Sequence, residues 1–104
     1  MKRIVLYILL IIIAVPINAK SLVEDADSAY IKKEYLNSIK LYEEVLAKEG
    51  ISSDLLYNLG NAYYRAGKLG KAVLNYERAL RLDAQNNEAR ENLKFVNAKL
   101  TDKI

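Results

Sequence analysis

Residues 55–82 read LLYNLGNAYYRAGKLGKAVLNYERALRL, and the spacing of apolar and small residues within them decides the fold. Leu56, Leu59 and Tyr63 recur at three- and four-residue intervals, the period of one face of a helix. Gly60 lies inside that stripe, where glycine costs about 1 kcal/mol of helix propensity relative to alanine. The compensation expected is close approach, since a backbone without a Cβ lets a neighbouring helix lie directly against it. Gly67 then ends the helix, because glycine alone takes the left-handed C-terminal position without steric cost. A second helix follows, with Ala72, Tyr76, Ala79 and Leu80 alternating small and large along its inner face. Small opposite large lets two helices interlock, so the stretch predicts a helical hairpin.

The hairpin recurs along the chain. Thirty-four residues upstream, Ala26 falls on Gly60, and Ser38, Tyr42 and Val45 fall on Ala72, Tyr76 and Ala79. Lys33 falls on Gly67, so the first turn has lost its glycine and is expected to strain or open. Downstream, Leu93 falls on Leu59, but Lys94 replaces Gly60 and Asn97 replaces Tyr63. A helix that exchanges packing residues for polar ones suits the end of a stack. These spacings resemble the tetratricopeptide repeat (TPR), with Leu56 where that family often has tryptophan. Ala84 stands at the proline position, which predicts a softer stop after Leu82. The resemblance implies an all-α superhelix of α-α hairpins: repeats over about 20–52 and 53–86, and a capping helix over about 87–101. No stretch alternates with period two, so no strand is expected. An ordinary antiparallel bundle is the alternative architecture.

Met1-Lys2-Arg3 is basic, Ile4 to Val15 is an unbroken apolar run, and Pro16-Ile17-Asn18-Ala19 precedes Lys20. That order is the grammar of a secretory signal peptide, and the run is shorter than the ~20 residues that span a bilayer. The expectation is a signal over residues 1–19 and an exported, periplasmic domain over 20–104. An uncleaved membrane anchor is the alternative. With no cysteine in the chain, neither a lipoprotein signal nor a disulfide is available.

Loss of the signal changes the charge. The chain carries +3, but without Lys2 and Arg3 its 16 basic residues fall to 14 against 13 acidic ones. Nothing resembles the basic stripe of a nucleic-acid binder, and no nucleic-acid partner is expected. Histidine and cysteine are both absent, which removes the usual triads, imidazole bases and thiolate or imidazole metal sites. Glu43 and Glu44 are neighbours on a helix and point about 100° apart, so they cannot straddle a bond as paired glycosidase carboxylates do. No catalytic residue, cofactor or metal is expected, and the chain is read as a non-enzyme.

Binding remains. In stacked TPR hairpins the first helix of each pair lines a concave groove. Asp54, Tyr57, Asn61, Tyr64 and Arg65 lie along one side of the central first helix, apart from the packing stripe. Asp27, Tyr30 and Ile31 would flank them on one side, and Glu91 and Phe95 on the other. Asparagine can bond a peptide backbone, arginine can grip a carboxylate, and tyrosine supplies area at low entropic cost. Packing of Tyr57 and Tyr64 between repeats is the alternative. The residues assigned to repeat packing are Ala26, Leu56, Leu59, Gly60, Tyr63, Ala72, Tyr76 and Ala79. Arg65, Lys68, Lys71, Arg78 and Arg81 form a second set, a basic surface suited to an acidic partner or anionic lipid, or a solvated face.

Residues 56–93 also resemble the central repeat of the aerotolerance (Bat-type) TPR proteins of the bacterial envelope, with NYERAL at Asn75–Leu80 characteristic of that group though not exclusive to it. That resemblance implies a scaffold beside envelope von Willebrand-type proteins, connected with oxidative stress. The expected function is an exported adaptor that holds a peptide or protein segment, from an envelope or membrane protein, in its groove. The alternative is a structural accessory that self-associates or stacks through its end helices into a larger membrane-associated assembly.

Overall fold

Serine and asparagine side chains decide where three of the helices start. Ser21 accepts a hydrogen bond from the Glu24 backbone N–H, and Glu24 accepts one from the Ser21 N–H, a reciprocal capping box. Ser52 accepts from the Leu55 N–H at 3.1 Å, and the buried Asn86 accepts from the Ala89 N–H at 3.0 Å. A computed structural model describes residues 21–102; the signal expected over residues 1–19 lies outside them. The described chain forms α1 (Leu22–Ile31), α2 (Tyr35–Glu49), α3 (Ser53–Arg65), α4 (Leu69–Leu82) and α5 (Asn87–Asp102). No strand occurs among the described residues. The first residues of α2 and α4, and those of α3 and α5, each stand 34 positions apart.

The expectation of a soft stop after Leu82 is corrected. Asp83 turns the backbone to an extended conformation (φ −146°, ψ 98°), and its carboxylate accepts from the Gln85 N–H at 2.9 Å. An Asx turn therefore supplies the break that proline supplies elsewhere.

The two hairpin turns have the same hydrogen bonds. In the first, the Lys33 N–H donates to Tyr30 O (2.9 Å) and the Glu34 N–H to Ala29 O (2.8 Å); in the second, Gly67 donates to Tyr64 O (2.9 Å) and Lys68 to Tyr63 O (2.8 Å). This is the Schellman pattern, which requires a left-handed residue just past the helix. Gly67 meets that at φ 81°, and Lys33 meets it at φ 67°. The first turn does not open. It keeps its bonds and strains, at a cost of about 1–2 kcal/mol for a residue with a Cβ.

The core is built from small residues facing rings. Ala26, Leu59, Ala62, Ala72 and Ala79 are wholly buried, and Leu56, Tyr76 and Tyr63 nearly so. A Cβ built at Gly60 would lie 2.7 Å from Cε1 of Tyr76. The missing side chain is thus the space the Tyr76 ring occupies. Ser38, in the position Ala72 holds one repeat later, is also wholly buried; its hydroxyl donates to Tyr35 O at 2.9 Å.

Both flanks of the stack are polar. On α5, Ala89 and Val96 face inward while Lys94 and Asn97 are exposed. On α1, Asp25 is exposed and Ser28 half-buried, where α3 buries Leu59 and Ala62; just past the two helices, Lys32 is exposed where Ala66 is half-buried.

Candidate functional site

The inner faces of α1, α3 and α5 enclose a cavity of about 300 Å³. Its lining combines Tyr30 from α1, Tyr57, Asn61, Tyr64 and Arg65 from α3, the edge of Tyr76 from α4, and Asn92, Phe95 and Val96 from α5. Of the five residues expected to form the groove, four meet here. Asp54 does not: it is exposed in the first turn of α3, and the cavity begins at Tyr57, one turn further along. Ile31 and Glu91 are exposed outside the lining.

The rings are held from behind and open in front. Tyr57 leans on Tyr76 with centroids 6.0 Å apart and planes tilted by 43°, and Tyr64 meets Phe95 edge-on at 5.9 Å. Both tyrosines are half-buried, so each packs and still presents a face. Phe95 is 54% exposed, and the Lys99 ammonium sits 5.1 Å from its centroid. Such aromatic contacts are worth roughly 0.5–1.5 kcal/mol each.

The floor of the groove is a polar knot. The Tyr76 hydroxyl donates to Oδ1 of Asn61, which also accepts from Nδ2 of Asn92 at 2.9 Å. Asn61 therefore lines the cavity with its oxygen already engaged, which ties α3 to α4 and α5. Burial pushes the Tyr76 hydroxyl well above its ordinary pKa. The first hairpin repeats the bond: the Tyr42 hydroxyl donates to Asp27, and burial and then that carboxylate raise its pKa as well. Asp27 is thus a partner for Tyr42 instead of a flank of the groove. A third tyrosine, Tyr63, donates to Glu43 Oε2 at 2.8 Å; burial first, then that bond, push it up to about 12.

Among the described residues, Arg65 is the one that brings a charge to the lining, and it is exposed at the rim. It stands beside the Tyr30 hydroxyl, a contact that holds its proton still more firmly. The arrangement can grip a carboxylate with Arg65 while the rings cover the apolar part of a segment.

The basic set foreseen as one surface is divided. Arg78 donates to Asn75 Oδ1 at 3.0 Å, and Arg78 and Arg81 border a recess with Ile51 and Leu82 at the far end of α4. Lys71 lies over the Tyr63 ring, 5.7 Å from its centroid. Arg65 and Lys68 stand near the second turn.

Sequence reasoning missed Asn92 and the groove-facing edge of Tyr76. The 34-residue register held the signal, because it sets Asp27 on Asn61 and Tyr42 on Tyr76 and so pairs the two hydroxyl bonds. It also missed Ser53, whose hydroxyl donates to Ala79 O and accepts from Asn86 Nδ2, both at 2.8 Å.

Residues 53–86, which comprise α3, α4 and the loop that follows, match the tetratricopeptide repeat. Repeats of this kind generally mediate protein–protein interaction and are typically non-catalytic adaptors. None of the curated proteins matches the chain.

Proposed function

We propose that this chain is an exported adaptor that holds a segment of a partner protein, from the envelope or its membrane, in the groove of α1, α3 and α5. The observation that carries the proposal is the cavity itself. It is walled by partly exposed rings, has a preorganised polar floor, and sets the Arg65 guanidinium at its rim. Rigid aromatic area and a bidentate cation are what hot spots in protein recognition consist of. The residues present support binding, with no histidine or cysteine anywhere in the chain to supply a base or nucleophile. Export is supported by the basic, apolar, proline and small-residue order of residues 1–19, and an envelope setting by the likeness of residues 56–93 to the Bat-type proteins.

The polar flanks favour an adaptor over a module that stacks through its ends. A neighbour packed on α5 would bury Lys94 and Asn97, and charges are costly to bury without partners.

A photocrosslinking amino acid at Tyr64, introduced in intact cells, is expected to capture one defined protein through the groove. Arg65→Ala and Tyr57→Ala should abolish that capture with helical circular dichroism unchanged. Undiminished capture by both folded variants would place the partner elsewhere. Mass spectrometry of the protein recovered from the envelope tests export: a mature chain beginning after Ala19 is expected, and an intact Met1 terminus refutes cleavage.

A further inference from the structure

The groove is sorted by charge along its length. Helices joined by short connections run antiparallel, so α3 and α5, on either side of α4, share a direction. On α3, Asp54, Tyr57, Asn61 and Arg65 follow one another at three- and four-residue intervals; on α5, Glu88, Asn92, Phe95 and Lys99 do the same. Each set is a single stripe, and its middle members line the cavity. The repeat register sets Asp54 on Glu88 and Arg65 on Lys99, so both stripes run from acid to cation in the same direction. Arg65 and Lys99 meet at one mouth of the groove, where they border a recess with Tyr64. At the other mouth, the Ser53–Asn86 bond of 2.8 Å holds the starts of α3 and α5 together, and with them Asp54 and Glu88. All four charged side chains are exposed. Asp27, on the facing wall, is engaged by the Tyr42 hydroxyl and lies outside the lining.

The helix dipole alone does not place these charges. An acid in the first turn and a cation in the last suit any helix, yet α2 and α4 begin with no acid, and α4 carries Lys71 in its first turn. The dipole also chooses an end and not a face. The first-turn acid and last-turn cation are Asp54 and Arg65 on α3, and Glu88 and Lys99 on α5. All four fall on the stripes whose middles line the cavity.

We infer that the groove selects an extended segment with an acidic residue at one end, a basic residue at the other, and apolar or aromatic side chains between them. The acidic residue meets Arg65 and Lys99, the basic one meets Asp54 and Glu88, and the rings of Tyr57, Tyr64 and Phe95 cover what lies between. From Asp54 to Arg65, as from Glu88 to Lys99, is about 16 Å along a helix. An extended chain advances about 3.3 Å per residue, so the two charges of the segment stand about five positions apart. That span exceeds the screening length of about 8–10 Å, so each mouth acts on its own end of the segment. A uniformly acidic segment would set like charge on Asp54 and Glu88, and a uniformly basic one would do so on Arg65 and Lys99, which is how the order discriminates. The inference rests on the groove as the binding site and adds the charge order of what it holds.

Fluorescence anisotropy with labelled synthetic peptides tests the inference. The bipolar peptide carries glutamate and lysine at that spacing with leucine and tyrosine between, made in both chain directions; controls replace the glutamate or the lysine with glutamine. The bipolar peptide, in its better direction, should bind about tenfold more tightly than either control and lose that advantage as salt is raised. Arg65→Gln with Lys99→Gln should weaken it about tenfold and leave the control without glutamate unchanged. Asp54→Asn with Glu88→Gln should weaken it by a similar factor and leave the control without lysine unchanged. Tyr57→Ala should weaken every peptide about tenfold. Equal binding of the three peptides, tighter binding of the one without lysine, or variant effects that do not follow this pairing would each overturn the charge order. The groove itself would stand if Tyr57→Ala still weakened them all. No binding of the bipolar peptide, while capture through Tyr64 in cells persists, would likewise overturn the charge order alone. Unchanged binding in folded Tyr57→Ala would refute the groove and the inference with it.

Discussion

Replacing Lys33 with glycine should make the protein more stable, although it deletes a side chain and adds no contact. Lys33 sits at φ 67° in a turn whose bond lengths match those of the Gly67 turn to within 0.1 Å. Its left-handed backbone costs about 1–2 kcal/mol relative to glycine. Glycine also makes the unfolded chain freer, which takes back about 0.4–1 kcal/mol. The net gain is about 0.5–1 kcal/mol. For a domain of this size each kcal/mol moves the melting midpoint by about 4–8 °C, so a rise of roughly 2–8 °C is expected. Thermal and urea unfolding followed by circular dichroism measure it, with an unchanged urea slope showing that compactness is unaltered. Gly67→Lys is the reciprocal experiment: a Cβ there meets nothing within 4 Å, so its cost is conformational alone and should be of similar size and opposite sign. A Lys33→Gly midpoint equal to or below the parent would refute the account of the turn.

Three further outcomes are expected. Gly60→Ala gains about 1 kcal/mol of helix propensity, but its Cβ would press on the buried Tyr76 ring at 2.7 Å, and such overpacking costs about 1–3 kcal/mol; a lower midpoint is expected, and a higher one would show that the ring yields freely. Asn86→Ala removes the α5 cap and the bond to Ser53, a loss of about 1–2 kcal/mol, read as faster amide exchange at Ala89 while Leu59 keeps most of its protection. The tyrosines make the fold sensitive to alkali. Tyr63 rises from 10.0 unfolded to about 12 folded, and Tyr42 and Tyr76 also rise. Above pH 10 the unfolded chain loses these protons first, so their contribution to stability is complete below pH 10 and falls away as pH climbs through 12. Ionisation of these three hydroxyls and loss of helical signal should therefore occur together, and a helical signal that persists after all tyrosines have ionised would contradict the buried hydroxyls.

The helices were legible because their information is local. Leu56, Leu59 and Tyr63 state a period, and Ser52 and Gly67 state its ends. Gly60 against a ring was legible too, since a glycine inside an apolar stripe needs a reason. The polar partnerships were not, because a hydroxyl carries no mark of its acceptor. Asn61 has the composition of a ligand contact, yet its oxygen serves Tyr76 and Asn92, residues 15 and 31 positions away. Asp54 shares the helical side of Tyr57, but where the cavity begins depends on the neighbouring helices, and it begins at Tyr57. Ala84 misled because proline is one of several ways to end a helix, and Asp83 uses another.

The Ser53 hydroxyl, bonded at once to the carbonyl of Ala79 and the amide of Asn86, clasps α3, α4 and α5 into one block. Among the described residues, the α1–α2 leaf meets that block through packing, the Tyr63–Glu43 bond and the contact of Arg65 with the Tyr30 hydroxyl. The molecule should therefore hinge along the seam between α2 and α3. Tyr30 in the groove belongs to the leaf, while the other residues of its lining belong to the block. One opening motion would draw Tyr30 away from the rest of that lining, so a segment held in the groove keeps the seam closed.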